Sequence, residues 1–341
     1  MTGAPPTQVS PQDGAAAPAD RGADLSIVVV SWNTRDELRT CLRSTFDGLG
    51  GIAGEVVVVD NASADGSADM VADEFPAARL IRNDENLGFA GGCNRGIAVA
   101  TGRHVLLLNP DTVVVGDVLA ATVRYLDEHA GVGAFGCRVL RPDGSVEPTC
   151  FRDPSVLNAT LGLTGLSRLP WPRWFGRERM PWWHRDTERD VEVVTGCYLA
   201  VRREVIEGVG MLDDGYFFCG EESDWCRQIR RAGWAVRFAP VGEIVHESGA
   251  AGRKLNHRRD LLLDAGLVRY AHKNDGRLAG WAMWALLGAF ALSRATGWAL
   301  LAAVHPRPAA RSRARAQRDR FRGVLRDFGE VRGLAGVARR P

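Results

Sequence analysis

The chain has 341 residues, enough for one large α/β domain with an appendage or for two modest domains. Its 43 basic and 41 acidic side chains nearly cancel, which argues against a nucleic-acid binder, whose surface carries a broad positive field. The seven cysteines, at 41, 93, 137, 150, 197, 219 and 226, form no C-x-x-C pair and no Cys/His ligand spacing; buried free thiols in a reducing compartment fit them better than structural zinc.

Residues 1–23 are rich in Ala, Pro, Gly and Asp, with no basic start and no apolar stretch, so a disordered leader is expected there rather than a signal peptide. "LSIVVVSWN" (25–33) is a β-branched apolar run, and "DELRTCLRSTF" (36–46) follows with Leu38, Leu42 and Phe46 at helical spacing. The alternation continues through "EVVVVD" (55–60), an Asp-rich helix start near 65, "ARLIRN" (78–83), "GFAGGCNRGIAVA" (88–100) and "RHVLLLNPD" (103–111). Continuous apolar strands separated by helices predict a parallel sheet covered on both faces, with ligands at the carboxyl ends of its strands. Those ends carry Ser31 and Asn33, Asp60 and Asn61, and Asn109 and Asp111. Each alone reads as turn or cap chemistry; on three strands together they point to a shared pocket. No G-x-G-x-x-G follows the first strand and no lysine precedes residue 254, which weakens dinucleotide, ATP and nucleotidylyltransferase readings.

From about 140 to 190 the pattern loosens, and "LPWPRWFGRERMPWWHRD" (169–186) sets four tryptophans in a polar context. Such rings can stack on sugars, which makes Trp182 and Trp183 acceptor candidates, or they can form a satellite cluster under a long loop. Regular structure resumes in "VEVVTGCYLAVRREVIEGVG" (191–210), and short strands are expected at "WAVRFAP" (234–240) and "EIVHESG" (243–249).

Between them, "CGEESDWCRQIRRAG" (219–233) is a helix with acids in its first turn, arginines in its last and Gly233 at its end. At 100° per residue, Trp225, Ile229 and Ala232 share a stripe with Glu221 and Glu222 at its N-terminal edges. Asp224 falls with Arg227, Gln228 and Arg231, the face expected to carry surface ion pairs. Glu221 and Glu222 therefore point inward, where a charge without a function would be costly.

Residues 278–293 are apolar or small, and "ATGWALLAAV" continues the run after Arg294. The combined stretch is long enough to span a bilayer, but Arg294 would then lie near the centre, costing roughly 3 kcal/mol, and the eleven arginines between His305 and Pro341 would end outside, against the positive-inside tendency. An in-plane or re-entrant segment on the cytoplasmic face is expected instead, held by Trp281, Trp284 and Trp298 and by the basic tail on anionic lipid. A buried core helix or a homodimer contact is the alternative.

The blocks "SIVVVSWN", "VVVVDNASADGS", "NLGFAGGCNRGI", "LLLNPDT", "TGCYLAVRREVIEGVGMLDDGYFFCGEESDWCRQIRRAGW" and "IVHESG" run in order from about residue 25 to 250. Together they resemble the family 2 glycosyltransferases, especially bacterial rhamnosyltransferase-like enzymes acting on polyprenol-linked glycans. The resemblance implies a GT-A fold, a Rossmann-like mixed α/β sheet with helices on both faces. The implied domain is 24–255, divided into nucleotide (24–115) and acceptor (116–255) halves. A helical extension (256–277), the apolar membrane-associated segment (278–304) and the Arg-rich tail (305–341) would follow.

The resemblance further implies inverting transfer from a dTDP- or UDP-sugar, with L-rhamnose the first guess, to a lipid-linked or cell-envelope glycan. On the matching positions, Asp60 would meet the pyrimidine base, with Ser31 and Asn33 lining its pocket; a carboxylate can accept the base's imide N–H. Asn86, Gly88 and Asn94 would lie along the ribose and diphosphate. "NPD" stands where many relatives have Asp-x-Asp, so Asp111, with Asn109 beside it, would bind Mn or Mg, and His246 matches a further ligand. Gly196, with Trp182 and Trp183, falls to the acceptor side. The family's usual Glu-Asp reads here Glu221-Glu222, which makes Glu222 the implied base, one methylene longer than usual. A non-catalytic glycan-binding protein that kept the pocket without the base is the competing class.

Overall fold

The computed structural model describes residues 22–169, 172–247, 256–305 and 307–336; most of the predicted leader, Trp171 and the last arginines lie outside them. The first half alternates as expected: β1 (Leu25–Ser31), α1 (Arg35–Gly48), β2 (Gly54–Asp60), α2 (Ser67–Glu74), β3 (Arg79–Arg82), α3 (Gly88–Val99), β4 (His104–Leu108), β5 (Thr112–Val114), α4 (Val118–Glu128) and β6 (Val132–Leu140). Then come β7 (Cys150–Phe151), α5 (Val156–Leu163), β8 (Arg189–Asp190), β9 (Val193–Val194), β10 (Tyr198–Arg202), α6 (Arg203–Val209), α7 (Glu221–Arg231) and β11 (Ala235–His246). Four helices close the chain: α8 (Asn256–Asp275), α9 (Arg277–Val304), α10 (Pro308–Asp327) and α11 (Glu330–Leu334).

The main sheet runs β3-β2-β1-β4-β10-β6-β11-β5, with β8 also on β11. Strands β1 to β4 are parallel, β10 lies antiparallel between β4 and β6, and β11 is parallel to β6. The apolar runs are explained by burial on both faces. Ile27, Val29, Val56 and Val58 pack under α1, α2 and α4, and Val28, Val30, Val57 and Val59 pack under α3, α6 and α7. The two short strands expected near the end of the domain are one strand, β11, whose register against β6 shifts between Phe238 and Glu243.

The glycines of "GFAGGCNRG" serve packing. A Cβ at Gly92 would stand 2.6 Å from Val30 Cγ1, and one at Gly96 would stand 2.3 Å from Val28 Cγ1, so α3 lies closer to the sheet than an alanine would allow. The tryptophan-rich stretch folds around Arg185, which is buried and donates to the carbonyls of Cys150, Arg179, Met180 and Trp183. Trp183 is only 6% exposed and meets Phe238 edge-on. Its ring is part of the core, which corrects its reading as an acceptor platform; Trp182 packs half-buried on the same core.

The last four helices and α5 share a third core, built on Leu261, Val268, Met283, Leu287, Val324 and Phe328. The basic tail is therefore largely helical, as α10 packed beside α9. Arg294, the puzzle of the apolar segment, is exposed, with its guanidinium over Phe290, Trp298 and Phe321 at 5.8, 5.4 and 5.9 Å.

Gly96→Ala tests the close helix–sheet approach. Helix propensity alone favours the change by about 1 kcal/mol, whereas overpacking against Val28 costs about 1–3 kcal/mol. Urea unfolding should show net destabilisation.

Candidate active site

The sheet's register brings the polar strand ends together. Ser31 pairs with Asp60 across the parallel β1–β2 ladder, and Tyr198, at the start of antiparallel β10, pairs with Leu108 at the end of β4. His246, the last residue of β11, pairs with Thr112 at the start of β5. Ser31, Asp60, Asn109, Asp111, Gly196 and His246 therefore sit along one edge, although Asp60 and His246 are far apart in sequence.

At the β1–β2 end, Asp60 is 4% exposed. One carboxylate oxygen accepts from Ser63 N–H at 3.0 Å, and the other has no partner. Asn33, with φ of 54°, accepts from Ala64 N–H at 2.7 Å and its own N–H donates to Ser63 Oγ at 2.9 Å. That stitches the loop after β1 to the loop after β2. Ser31 Oγ lies 3.0 Å from Thr34 Oγ1. An unpartnered carboxylate oxygen beneath two tied loops is chemically suited to accept an imide N–H.

The predicted ribose and diphosphate contacts are placed differently. Asn86 Oδ1 caps Gly88 N–H at 2.9 Å. Gly88, at φ of 74°, makes room for protein: a Cβ there would stand 2.4 Å from the Phe217 carbonyl oxygen, which accepts from Phe89 N–H. Asn94 clasps the backbone of Leu212 with both ends of its amide, at 2.8 and 3.1 Å. Asn94 and Gly88 thus join α3 to the 212–217 loop, a structural task that corrects their reading as donor contacts.

At the other end, His246 Nε2 stands 3.2 Å from Asp111 Oδ1 and 3.3 Å from Asn109 Nδ2, while Nδ1 stands 3.2 Å from Glu147 Oε2. Burial pushes the imidazole down, but the two carboxylates outweigh it and lift it to about 9. Glu147 carried no signal in the sequence; it reaches His246 because the turn at 141–146 folds back, with Glu147 N–H bonded to Val139 O. No group of three or more His, Cys, Asp or Glu among the described residues could hold a metal ion. Asp111 and Nε2 still fit a divalent ion as an O,N pair, with Glu147 orienting the ring from behind and substrate phosphates and water filling the remaining positions, as is usual for Mg sites.

Helix α7 supplies the third component. Its start is shaped by two left-handed residues, Cys219 at φ of 67° and Gly220 at 100°, which turn the first helical residues into the core. Glu221 is 3% exposed, and the carboxylate of Glu222 accepts from Gly196 N–H. Gly196 itself lies against the Phe89 ring, 2.7 Å from where a Cβ would be. Each glutamate keeps one buried oxygen without a partner. Burial and then the neighbouring Glu222 charge push Glu221 well above the ordinary carboxylate range; burial also raises Glu222, against the pull of its own backbone N–H, of Glu221 and of the Gly196 N–H. Burial thus favours the protonated form of both carboxyls, and the Glu222 charge adds to the effect at Glu221.

Asp224 corrects an expectation. It is an ion-pair residue, but it is 2% exposed and meets Lys273 at 2.7 Å rather than lying on the surface. The helical wheel placed it opposite the Trp225 stripe; α8 covers that side too.

A sheet of this order, with carboxylates and an imidazole gathered on its carboxyl edge and helices on both faces, is the GT-A architecture of sugar-transferring enzymes. Residues 26–209 match glycosyl transferase family 2; the chain belongs to that family and is a glycosyltransferase. It is 28% identical to the N-acetylglucosaminyl-diphospho-decaprenol L-rhamnosyltransferase of Mycobacterium tuberculosis, over 70% of this chain and 81% of that protein. It is 22% identical to the low-salt glycan biosynthesis hexosyltransferase Agl10 of Haloferax volcanii, over 71% and 73%. Among solved structures, the Pyrobaculum calidifontis mannosyltransferase PcManGT, in complex with GDP-Man and Mn2+, superposes with a TM-score of 0.52 at 22% identity, covering 96% of this chain and 90% of the other. GalNAc-T7 with UDP, GalNAc and Mn2+ gives 0.51 at 16%, covering 74% and 48%.

Because Glu221 keeps its proton to higher pH in the folded chain than the ordinary value of 4.5, its contribution to stability is complete below that value. It is lost as pH rises toward the raised folded value. Glu221→Gln removes the loss, so its gain in melting temperature over the parent should grow from pH 5 to pH 8 in thermal scans; a gain independent of pH would contradict the burial of a titrating pair.

Proposed function

We propose that the protein transfers L-rhamnose, with inversion, from dTDP-rhamnose to a hydroxyl of an N-acetylglucosaminyl-diphospho-polyprenol or a related lipid-linked glycan. The observation that carries transfer is the sheet edge itself, with an unpartnered carboxylate oxygen at Asp60, an O,N pair at Asp111 and His246, and the half-buried Glu222 beside Gly196. The sugar and the acceptor rest on the likeness to the mycobacterial rhamnosyltransferase.

In this reading Asp60 accepts the base's imide N–H, with Ser31 and Asn33 walling the pocket. Asp111 and His246, with Asn109 alongside, would hold a divalent ion, Mn or Mg, whose charge offsets that of the departing diphosphate. Glu222 takes the proton of the acceptor hydroxyl as that oxygen bonds to the anomeric carbon. The carbon's bond to the phosphate oxygen breaks on the opposite side, and the diphosphate leaves with the electron pair. Glu221, by holding the shared proton, leaves Glu222 ionised and ready to accept one.

The setting we propose is the cytoplasmic face of the membrane. Helix α9 is long and apolar enough to cross a bilayer, and most of its most apolar stretch faces outward. Leu278, Leu292, Leu300 and Val304 are exposed, and arginine-rich α10 runs beside it. Apolar side chains next to arginines suit an anionic membrane surface.

Nucleotide release from dTDP-, UDP- and GDP-sugars, with Mn, Mg or EDTA, tests the reading. Transfer should be greatest with dTDP-rhamnose and be lost in EDTA. Glu222→Gln should lower kcat by about 10²–10⁴-fold while nucleotide affinity, measured calorimetrically, stays near that of the parent. A fully active Gln variant would remove Glu222 from the chemistry.

A further inference from the structure

The loop that delivers Glu221 and Glu222 is anchored outside the sheet, to α8. Asp213 precedes the loop, Asp224 lies in the first turn of α7, and both carboxylates converge on one ammonium group. Lys273 Nζ is 2.6 Å from Asp213 Oδ2 and 2.7 Å from Asp224 Oδ2. Asn274 Nδ2 donates to the other Asp224 oxygen at 2.7 Å, and Arg269 donates to both oxygens of Asp213 at 2.8 and 3.0 Å. Between these anchors, the chain touches α8 directly: a Cβ at Gly266 would stand 2.1 Å from the Cys219 carbonyl oxygen. Further along α7, Arg227 bonds to Tyr270 Oη at 3.2 Å and pairs with Asp275 at 2.9 Å.

We propose that α8 is a positioning element of the active site and that Lys273, acting through Asp213 and Asp224, is its positioning residue. Resting on the reading of Glu222 as base, the proposal adds the device that sets where that base stands. Cys219 and Gly220 hold left-handed backbone, which is sparsely populated for Cys219 and persists only when its surroundings over-determine it. The lysine clamp fixes the loop at both ends, and the Gly266 contact fixes its middle. Lys273 is one of two lysines in the chain, and its aliphatic stem lets one cation reach two carboxylates that an apolar residue would leave stranded.

Stability and positioning are separable. Lys273→Met leaves Asp224 buried without its cation and should destabilise the fold. Asp224→Asn with Lys273→Met strands no charge at Asp224 and should recover most of the lost melting temperature. The readouts are kcat and KM with dTDP-rhamnose and an N-acetylglucosaminyl-diphospho-prenol, dTDP affinity by calorimetry, and melting temperature, with Glu222→Gln assayed in parallel. The double variant should fold and bind dTDP like the parent yet show kcat lower by about 10- to 100-fold, the scale of a misplaced catalytic group, with donor KM little changed. Lys273→Arg should restore part of the rate, and Gly266→Ala, which pushes on Cys219 without touching a charge, should lower kcat similarly. A double variant with parental kcat, alongside an inactive Glu222→Gln, overturns the positioning role alone. Parental kcat in Glu222→Gln overturns the base assignment and the positioning role together.

Discussion

Two carboxylates side by side at the edge of a protein interior each raise the cost of ionising the other, and the structure around α7 is organised by that constraint. Glu221 and Glu222 occupy adjacent positions at a helix start, both turned inward by the left-handed backbone at Cys219 and Gly220. Burial raises both, and the Gly196 N–H favours charge on Glu222. In the proposed reaction the two differ in role, Glu221 keeping a proton and Glu222 serving as the base. A carboxylate whose pKa is raised by burial is a stronger base than a solvated one.

The sheet contributes placement. Antiparallel β10, inserted between β4 and β6, turns its N-terminal end toward the carboxyl edge of its neighbours and so carries Gly196 to Glu222. Antiparallel β5 against β11 does the same for Asp111 and His246. A purely parallel sheet would have sent these strand starts to the opposite edge. The mixed order is thus what lets the Asp60 carboxylate, the Asp111 and His246 pair and the Glu222 carboxylate share one edge.

Much of this was legible in the sequence. Apolar runs ending in Ser31, Asp60 and Asn109 announced buried strands and a polar edge, and helical periodicity turned Glu221 and Glu222 inward. What was not legible depended on partners distant in the chain. Asn94 and Gly88 were set along the donor by the family resemblance, which does not show that the 212–217 loop packs against them. Asp224 read as surface because a wheel knows one helix only, and α8 covers the other face. Trp183 stayed open between a sugar platform and a cluster under a loop, because nothing local shows that Arg185 folds its loop inward. Glu147 and Lys273 carry no local pattern, and only the fold shows what they touch.

The C-terminal helices join two roles that the sequence kept apart. Helix α9 offers an outward apolar face beside the arginines of α10, while α8 in the same helical unit reaches the loop that carries Glu221 and Glu222. The proposal that Glu221 and Glu222 share one proton, with the charge on Glu222, is tested most directly by infrared difference spectroscopy at neutral pH. Parent minus Glu221→Gln should reveal the loss of a protonated-carboxyl stretch, and parent minus Glu222→Gln the loss of a carboxylate band. Two carboxylate bands, one from each difference, would contradict the account.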